Sequence, residues 1–308
     1  MPNVLHHTGS SGWVLALAYL TSLVGCYVGV LCTVRTARPS GSIPRWAWRV
    51  MAAAAVGGVG IWLTHFIAML GFTVPGTLIR YRPAPVLLSA VIAVTAAGAG
   101  LWLATTRPTE HRRGPLLARS VSGGLVLGGA VGAMHYIGMA AVDVQGALTH
   151  TPAVVTASLL ACIVAATVAL WLIRISPHRR PFGPAMILGA AVATVHLIGM
   201  AGASVTLDPD APIPHGWTVI SMLLPAFVFG AIALAVPLVA LVSAPSAPDR
   251  PQAPVAETIT FSEPENNFDA DAPHPSSRVP PPIYEAGRFL DARRYVPRPR
   301  PHPPTDKP

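Results

Sequence analysis

The sequence predicts an all-α membrane protein. We expect seven transmembrane helices, three parallel two-helix repeats plus a seventh helix, followed by a disordered C-terminal tail. The chain is 52% hydrophobic, has only 11% charged residues and has a mean hydropathy of +0.53, as integral membrane proteins do. Its apolar residues form seven segments, each with the ~20 residues that a helix needs to cross the hydrocarbon core. These segments are 13–34, 46–72, 86–106, 116–142, 153–174, 183–205 and 217–243.

Arginines are divided unevenly between the two sets of loops. Eleven lie beside the first, third and fifth connections, against only Arg80 and Arg82 in the opposite loops. Because arginine and lysine accumulate on the cytoplasmic side, the N-terminus is predicted outside and the C-terminus in the cytoplasm. The net charge of +8 comes largely from loops that face anionic lipid headgroups. We therefore expect a lipid bilayer as partner and no nucleic acid.

Two regions of different composition make up the chain, a membrane domain at residues 1–243 and a tail at residues 244–308. The tail holds 16 of the 33 prolines and has no sustained apolar period. Such a segment cannot bury enough apolar surface to offset the entropy of ordering. We predict a Pro-rich, disordered cytoplasmic tail.

A short pattern occurs three times, at residues 64–69, 134–139 and 195–200. Each copy has a histidine, a small residue three positions later and a methionine four positions later, and a glycine lies seven positions before the histidine. On a helix, positions −7, 0 and +4 fall within about 40° of one another. The copies occupy the second, fourth and sixth helices, which run in one direction, and each histidine is roughly 10–14 Å from the outer end. The pattern predicts that the three histidines converge.

Imidazole and thioether groups one turn apart can bind one metal ion. Thioethers favour Cu(I), and imidazole suits copper, zinc, iron and nickel. No cysteine or carboxylate accompanies the pattern at this depth, which argues against zinc and harder metals, so copper is the expected cofactor. Met134 adjoins His135 about 100° round the helix and is a weaker candidate for an additional ligand. The six metal-ligand candidates are His65, Met69, His135, Met139, His196 and Met200.

Other uses of these histidines stay open at this point. Two of them could ligate a haem, although the sequence shows no signal for a porphyrin cavity. They could relay protons, although the spans lack the Asp or Glu that relays use, or each could bond a neighbouring helix. Four further histidines are predicted in outer loops, where they would feed a metal inward or simply face solvent: His6, His7, His150 and His215.

Met134-His135-Tyr136, together with the repeated His-x-x-x-Met helices, resembles the MHYT family of bacterial integral membrane sensor domains. The resemblance covers about residues 10–243, with Ile137 where the family motif has threonine. It implies a sensor of a diatomic gas (oxygen, carbon monoxide or nitric oxide) or of redox state, acting through copper bound by the same six residues. The resemblance also implies a location in the bacterial cytoplasmic (inner) membrane. Many members carry a cytoplasmic diguanylate cyclase, cyclic-di-GMP phosphodiesterase or histidine kinase. Here a Pro-rich tail follows the helices, so a separate cytoplasmic signalling partner is expected to act through the loops or tail.

The first functional hypothesis is therefore a sensory membrane protein, and the alternative is a protein that transports or handles copper or protons. A transporter needs polar groups that continue to the inner side. The inner halves of the second, fourth and sixth helices are instead Ala, Val and Gly, which favours sensing. A structural membrane anchor is the third option. No P-loop, Gly-x-Ser-x-Gly, His-Glu-x-x-His or Cys-x-x-Cys motif is present, so we predict no enzyme activity.

Overall fold

The structure is a computed structural model, and it describes residues 4–6, 12–37, 43–106, 116–175 and 181–244. All of them belong to one compact unit, Met1–Arg250. The predicted disordered tail lies outside the described residues, apart from its first residue.

Seven helices of the described part are long and apolar enough to cross a membrane, which confirms the prediction from hydropathy. Each begins and ends close to the boundaries expected from the sequence. The helices are α1 Gly12–Ala37, α2 Arg45–Gly71, α3 Pro83–Thr105, α4 Leu116–Ala140, α5 Pro152–Ile175, α6 Phe182–Ala201 and α7 Val219–Ser243.

The first six helices form a ring. Each packs against the next, α6 packs against α1, and α7 lies outside the ring against α2. The α2 helix is the most buried of the seven, whereas only 28% of the apolar span is buried in α5 and in α7. Those exposed faces carry large aliphatic residues such as Leu160, Ile220 and Val242, as a surface in contact with lipid requires.

Helices α1 and α2 cross at very close range. A Cβ at Gly25 would lie 2.5 Å from the backbone nitrogen of Gly60, and Ser22 Oγ donates a 2.7 Å hydrogen bond to the Gly60 carbonyl. Small residues permit such close approach of helix backbones in lipid. Within α2, Ala54–Leu63 is π-helical and Thr64–Ala68 returns to α-helix. The crossing thus fixes the part of α2 directly before the first repeated motif.

Within the described residues, five short strands lie at one end of the bundle, here called the strand end. They form an antiparallel sheet in the order β1-β5-β4 and a separate β2–β3 pair. These strands were not predicted, and the fourth and sixth apolar segments were expected to stay helical to residues 142 and 205. Hydropathy cannot distinguish apolar strand residues from helical ones, so the β-branched run in β5 was counted as helix. The strands are β1 Val4–His6, β2 Arg80–Tyr81, β3 Val142–Asp143, β4 Gly146–His150 and β5 Ala203–Leu207.

Gln145 connects the loops at the strand end. Its backbone N–H donates to Thr77 Oγ1 at 3.0 Å, and its side-chain amide donates to the carbonyls of Pro209 and Ala211 at 3.1 and 3.2 Å. The three loops that follow α2, α4 and α6 are therefore held together above the ends of those helices.

Candidate metal centre

The structure brings together the three histidines of the repeated motif. His65 of α2, His135 of α4 and His196 of α6 are 2%, 0% and 7% exposed. One ring nitrogen of each lies within 4.8 Å of the others. The ring centroids are 5.0, 5.4 and 5.5 Å apart. The convergence expected from shared depth and direction is thus observed.

Within this cluster, Nδ1 of His65 and Nδ1 of His135 lie 3.2 Å apart, at hydrogen-bond distance. Two neutral imidazoles offer two N–H donors and two acceptor lone pairs, and one hydrogen bond uses a single pair of these. Within the described residues, Nε2 of His65 and Nε2 of His135 have no hydrogen-bond partner. Leaving a buried polar atom unsatisfied costs about 1–3 kcal/mol. The hydrogen bond between the two rings therefore satisfies one nitrogen of each ring and leaves the other without a partner.

The Nδ1 atoms of His65 and His135 are spaced so that both could bind one metal ion. Two nitrogens 3.2 Å apart can both lie about 2.0–2.1 Å from one ion, the distance seen for imidazole bound to zinc. A buried ion must be paired with an opposite charge or coordinated by ligand atoms. In the described part of the chain no carboxylate joins the three rings, so ring nitrogens would be the ligands. A purely nitrogen set with sulfur nearby suits copper better than a hard metal.

Glycines of the motif make room for these rings. A Cβ at Gly138 would lie 2.8 Å from Nε2 of His65, and a Cβ at Gly199 would overlap Nε2 of His135. Each glycine three positions after a histidine thus accommodates the histidine of the preceding repeat. The sequence identified these small positions but not this contact between repeats.

The glycines seven positions before the histidines have another role. Added Cβ atoms would meet Phe229 of α7 at Gly58, Ile163 of α5 at Gly128 and Leu23 of α1 at Gly189. These glycines therefore bring neighbouring helices against the motif helices.

Methionines of the motif are all buried, but they differ in position. Met69, Met139 and Met200 are 1%, 0% and 6% exposed. They lie outside the lining of the cavity that borders the three histidines, whereas Met134 belongs to that lining. Their coordination of a metal remains a prediction. Met134 is the candidate ligand whose side chain lines the cavity with the histidines.

This cavity has a volume of about 240 Å³ and lies between α1, α2, α4 and α6. Besides the histidines and Met134, its walls include Leu15, Tyr19, Thr64, Ala193 and Leu197. The contribution of α1 could not be predicted, because α1 carries no copy of the motif.

Tyr136 and His150 extend the cluster toward the strand end. The Tyr136 ring lies 4.9 Å from that of His135 and 5.4 Å from that of His150, and its hydroxyl pairs with Ser158 Oγ at 2.7 Å. Burial lowers the pKa of His150, which therefore stays neutral to lower pH than a solvated histidine. His150 was predicted in an outer loop and ends β4. His7 and the side chain of His6 lie outside the described part.

Comparison with known proteins identifies the repeats. Residues 58–117 and 128–183 match the family described as MHYT, bacterial signalling protein N terminal repeat. The matched ranges contain His65 and His135. His196 lies beyond them, although the structure places it in the same cluster. No solved structure was found that matches the chain.

Curated relatives are signalling proteins. The chain is 31% identical over 201 residues to MucR of Pseudomonas aeruginosa, a bifunctional diguanylate cyclase/cyclic di-GMP phosphodiesterase, covering 62% of the chain and 28% of MucR. It is 32% identical over 218 residues to the cyclic di-GMP phosphodiesterase NbdA of the same species, covering 68% of the chain and 26% of NbdA. An uncharacterized signaling protein of Caulobacter vibrioides is 33% identical over 202 residues, 65% of the chain and 23% of that protein. The chain thus spans about a quarter of the length of these relatives.

Proposed function

From the MHYT repeats that this membrane protein carries, we propose that it senses a diatomic gas (oxygen, carbon monoxide or nitric oxide) or redox state through a copper ion. Its role in membrane signalling follows from the repeats and the signalling relatives. The observation that supports a metal is the convergence of three buried imidazoles, one ring nitrogen of each lying within 4.8 Å of the others.

His65, His135 and His196 would hold the ion, and Met134 offers a soft sulfur beside them. Met69, Met139 and Met200 remain candidates one turn further along each helix. Copper bound there would supply a position for a diatomic ligand and two accessible oxidation states. The protein's own groups would exclude water, since aliphatic and aromatic side chains surround the three rings.

Each histidine belongs to a different helix, so a ligand that changes one bond at the centre also changes the packing of α2, α4 and α6. Shifting a two-state equilibrium from 1:99 to 99:1 takes about 5.5 kcal/mol, which a gained or lost metal bond can supply. We propose that the strand end faces outward and that the opposite loops or the tail reach a separate cytoplasmic signalling partner.

Sensing is favoured over transport by the composition of the bundle. Beyond the cluster, α2, α4 and α6 bury mainly alanine, valine, leucine and glycine in the described part of the chain. A transport pathway would need polar groups that continue to the other side.

Metal analysis of the detergent-purified protein tests this proposal. We expect stoichiometric copper in the wild type and in His215→Ala, which changes an exposed histidine outside the cluster, and none in a His65→Ala, His135→Ala, His196→Ala triple variant that stays helical. Absence of metal from the wild type after loading with Cu(I) would overturn the copper centre.

A further inference from the structure

We infer that the cavity beside the three histidines is a binding site for a small, uncharged apolar molecule that enters from the bilayer between α1 and α6. The effect of this molecule on a copper ion at the three histidines rests on the proposed function. Occupancy of the cavity itself requires no metal.

The size and lining of the cavity point to an apolar occupant. Its volume of about 240 Å³ exceeds that of apolar cavities of about 150 Å³, which stay dry and bind benzene or xenon. Its aliphatic wall includes Leu15, Val192 and Leu197. The hydroxyl of Thr64 is already engaged, since it donates to the Val59 carbonyl of its own helix at 3.1 Å. A water molecule needs two to four polar partners, so few positions in the cavity suit water.

One side of the cavity reaches the surface of the bundle. The lining residues from α2 and α4 are all buried, whereas Leu197 of α6 is 48% exposed and Leu15, Tyr19 and Ala193 are half-buried. We call these four residues the mouth. Leu197 and Ala193 precede the end of α6 by four and eight residues, so the mouth lies roughly 6–12 Å inside the span.

The surface around the mouth is apolar. Leu17 and Leu20 of α1 are 41% and 56% exposed, and both lie at the depth of the mouth. Because a helix surface of this kind contacts hydrocarbon, a molecule that partitions into the bilayer reaches the mouth without crossing the loops of the strand end. Uncharged diatomic gases meet this requirement, whereas ions do not.

The departure from threefold repetition coincides with the cavity. Two copies of the motif have glycine at the third position after histidine. The imidazole of the preceding copy occupies the space that a side chain at each glycine would take. The first copy has Ala68 instead, and Ala68 lines the cavity together with His196. An open side of the centre therefore lies between these two residues.

Xenon is the probe for the cavity, because it is apolar and needs no metal. We expect saturable xenon binding, measured by ¹²⁹Xe NMR, in both copper-free and copper-loaded protein. Ala193→Phe, which fills the mouth, is expected to weaken xenon binding at least tenfold. The matched control is Ala190→Phe, which alters an exposed alanine three residues earlier on α6. Absence of saturable binding to the wild type, or equal binding by the two variants, would overturn the inference.

Carbon monoxide binding to the Cu(I)-loaded protein tests the route. We expect at least tenfold slower association in Ala193→Phe at unchanged copper content, and faster association in Leu197→Ala, which opens the mouth from an exposed position. The second variant keeps the test informative if the phenylalanine prevents folding. Xenon binding without any copper uptake would leave the cavity in place and overturn the proposed metal function instead. Unchanged carbon monoxide rates in both mouth variants would overturn the route.

Discussion

Replacing Gly138 by alanine is expected to displace His65 without changing any histidine. A Cβ at residue 138 would lie 2.8 Å from Nε2 of His65, whereas ordinary contact begins at 3.4 Å. The ring or the helix must therefore move by about 0.6 Å, the difference between 3.4 and 2.8 Å. Metal sites require ligand distances within about 0.2 Å of their usual values. The displacement is about three times that tolerance.

Two energies oppose each other in this variant. Overpacking a filled interior costs about 1–3 kcal/mol, while alanine in place of glycine within a helix stabilises by about 0.5–1 kcal/mol. We expect a net loss of up to about 2 kcal/mol in stability and a loss of copper affinity of at least about tenfold, the scale of changes that disturb ligand orientation. Competition with a chromophoric Cu(I) chelator measures the affinity, and thermal unfolding measures the stability.

Gly129→Ala is the matched control, because an added Cβ at this position of the same helix meets nothing within 4 Å. It carries the same gain in helix propensity without the displacement. Gly199→Ala should be more severe than Gly138→Ala, since its Cβ would approach Nε2 of His135 more closely, and Gly183→Ala is its control on α6. Equal copper affinity in Gly138→Ala and Gly129→Ala would refute the argument that contact with residue 138 positions His65.

Three further predictions concern the rest of the bundle. Gly25→Ala places a Cβ 2.5 Å from the backbone nitrogen of Gly60, which cannot turn away as a side chain would, so we expect about 1–3 kcal/mol lower stability in thermal unfolding. Gln145→Ala removes two amide donors from loop carbonyls at about 1 kcal/mol each, and hydrogen exchange at Ala211 should accelerate at least tenfold. Burial lowers the pKa of His150, so the unfolded chain binds more protons than the folded one as pH falls below about 6.5. Between pH 7.5 and 5.5 the wild type should therefore lose more stability than His150→Gln, and parallel losses would contradict this.

Hydropathy was sufficient to predict the number and order of the membrane-spanning helices in the described part of the chain. A run of about 20 apolar residues predicts a membrane-spanning helix from local composition alone. The strands at the ends of α4 and α6 could not be predicted this way, because Val142 and Val205 are as apolar as helix residues. Their pairing depends on chain segments far apart in sequence, β4 with β5 and β1 with β5.

The candidate site was predicted in part. Recurrence of the motif in alternate helices was sufficient to place His65, His135 and His196 at one depth, because helix geometry converts sequence spacing into height. Rotation about each helix axis was not determined, since it depends on packing against neighbours. For that reason the sequence could not show that Met134 would share the cavity, or that α1 would line it with Leu15 and Tyr19.

The contacts between repeats explain why the centre links the helices so directly. His65 is seated against Gly138 of α4, and His135 is seated against Gly199 of α6, so each ring depends on the position of the next motif helix. A ligand that moves one imidazole by a few tenths of an ångström therefore forces either a gap or an overlap at the next helix, because packed interiors do not deform freely. His196 lines the cavity together with Ala68, which stands where the other two copies of the motif have glycine. A molecule in that cavity that displaced α6 would therefore also affect α4, through the contact of Gly199 with His135.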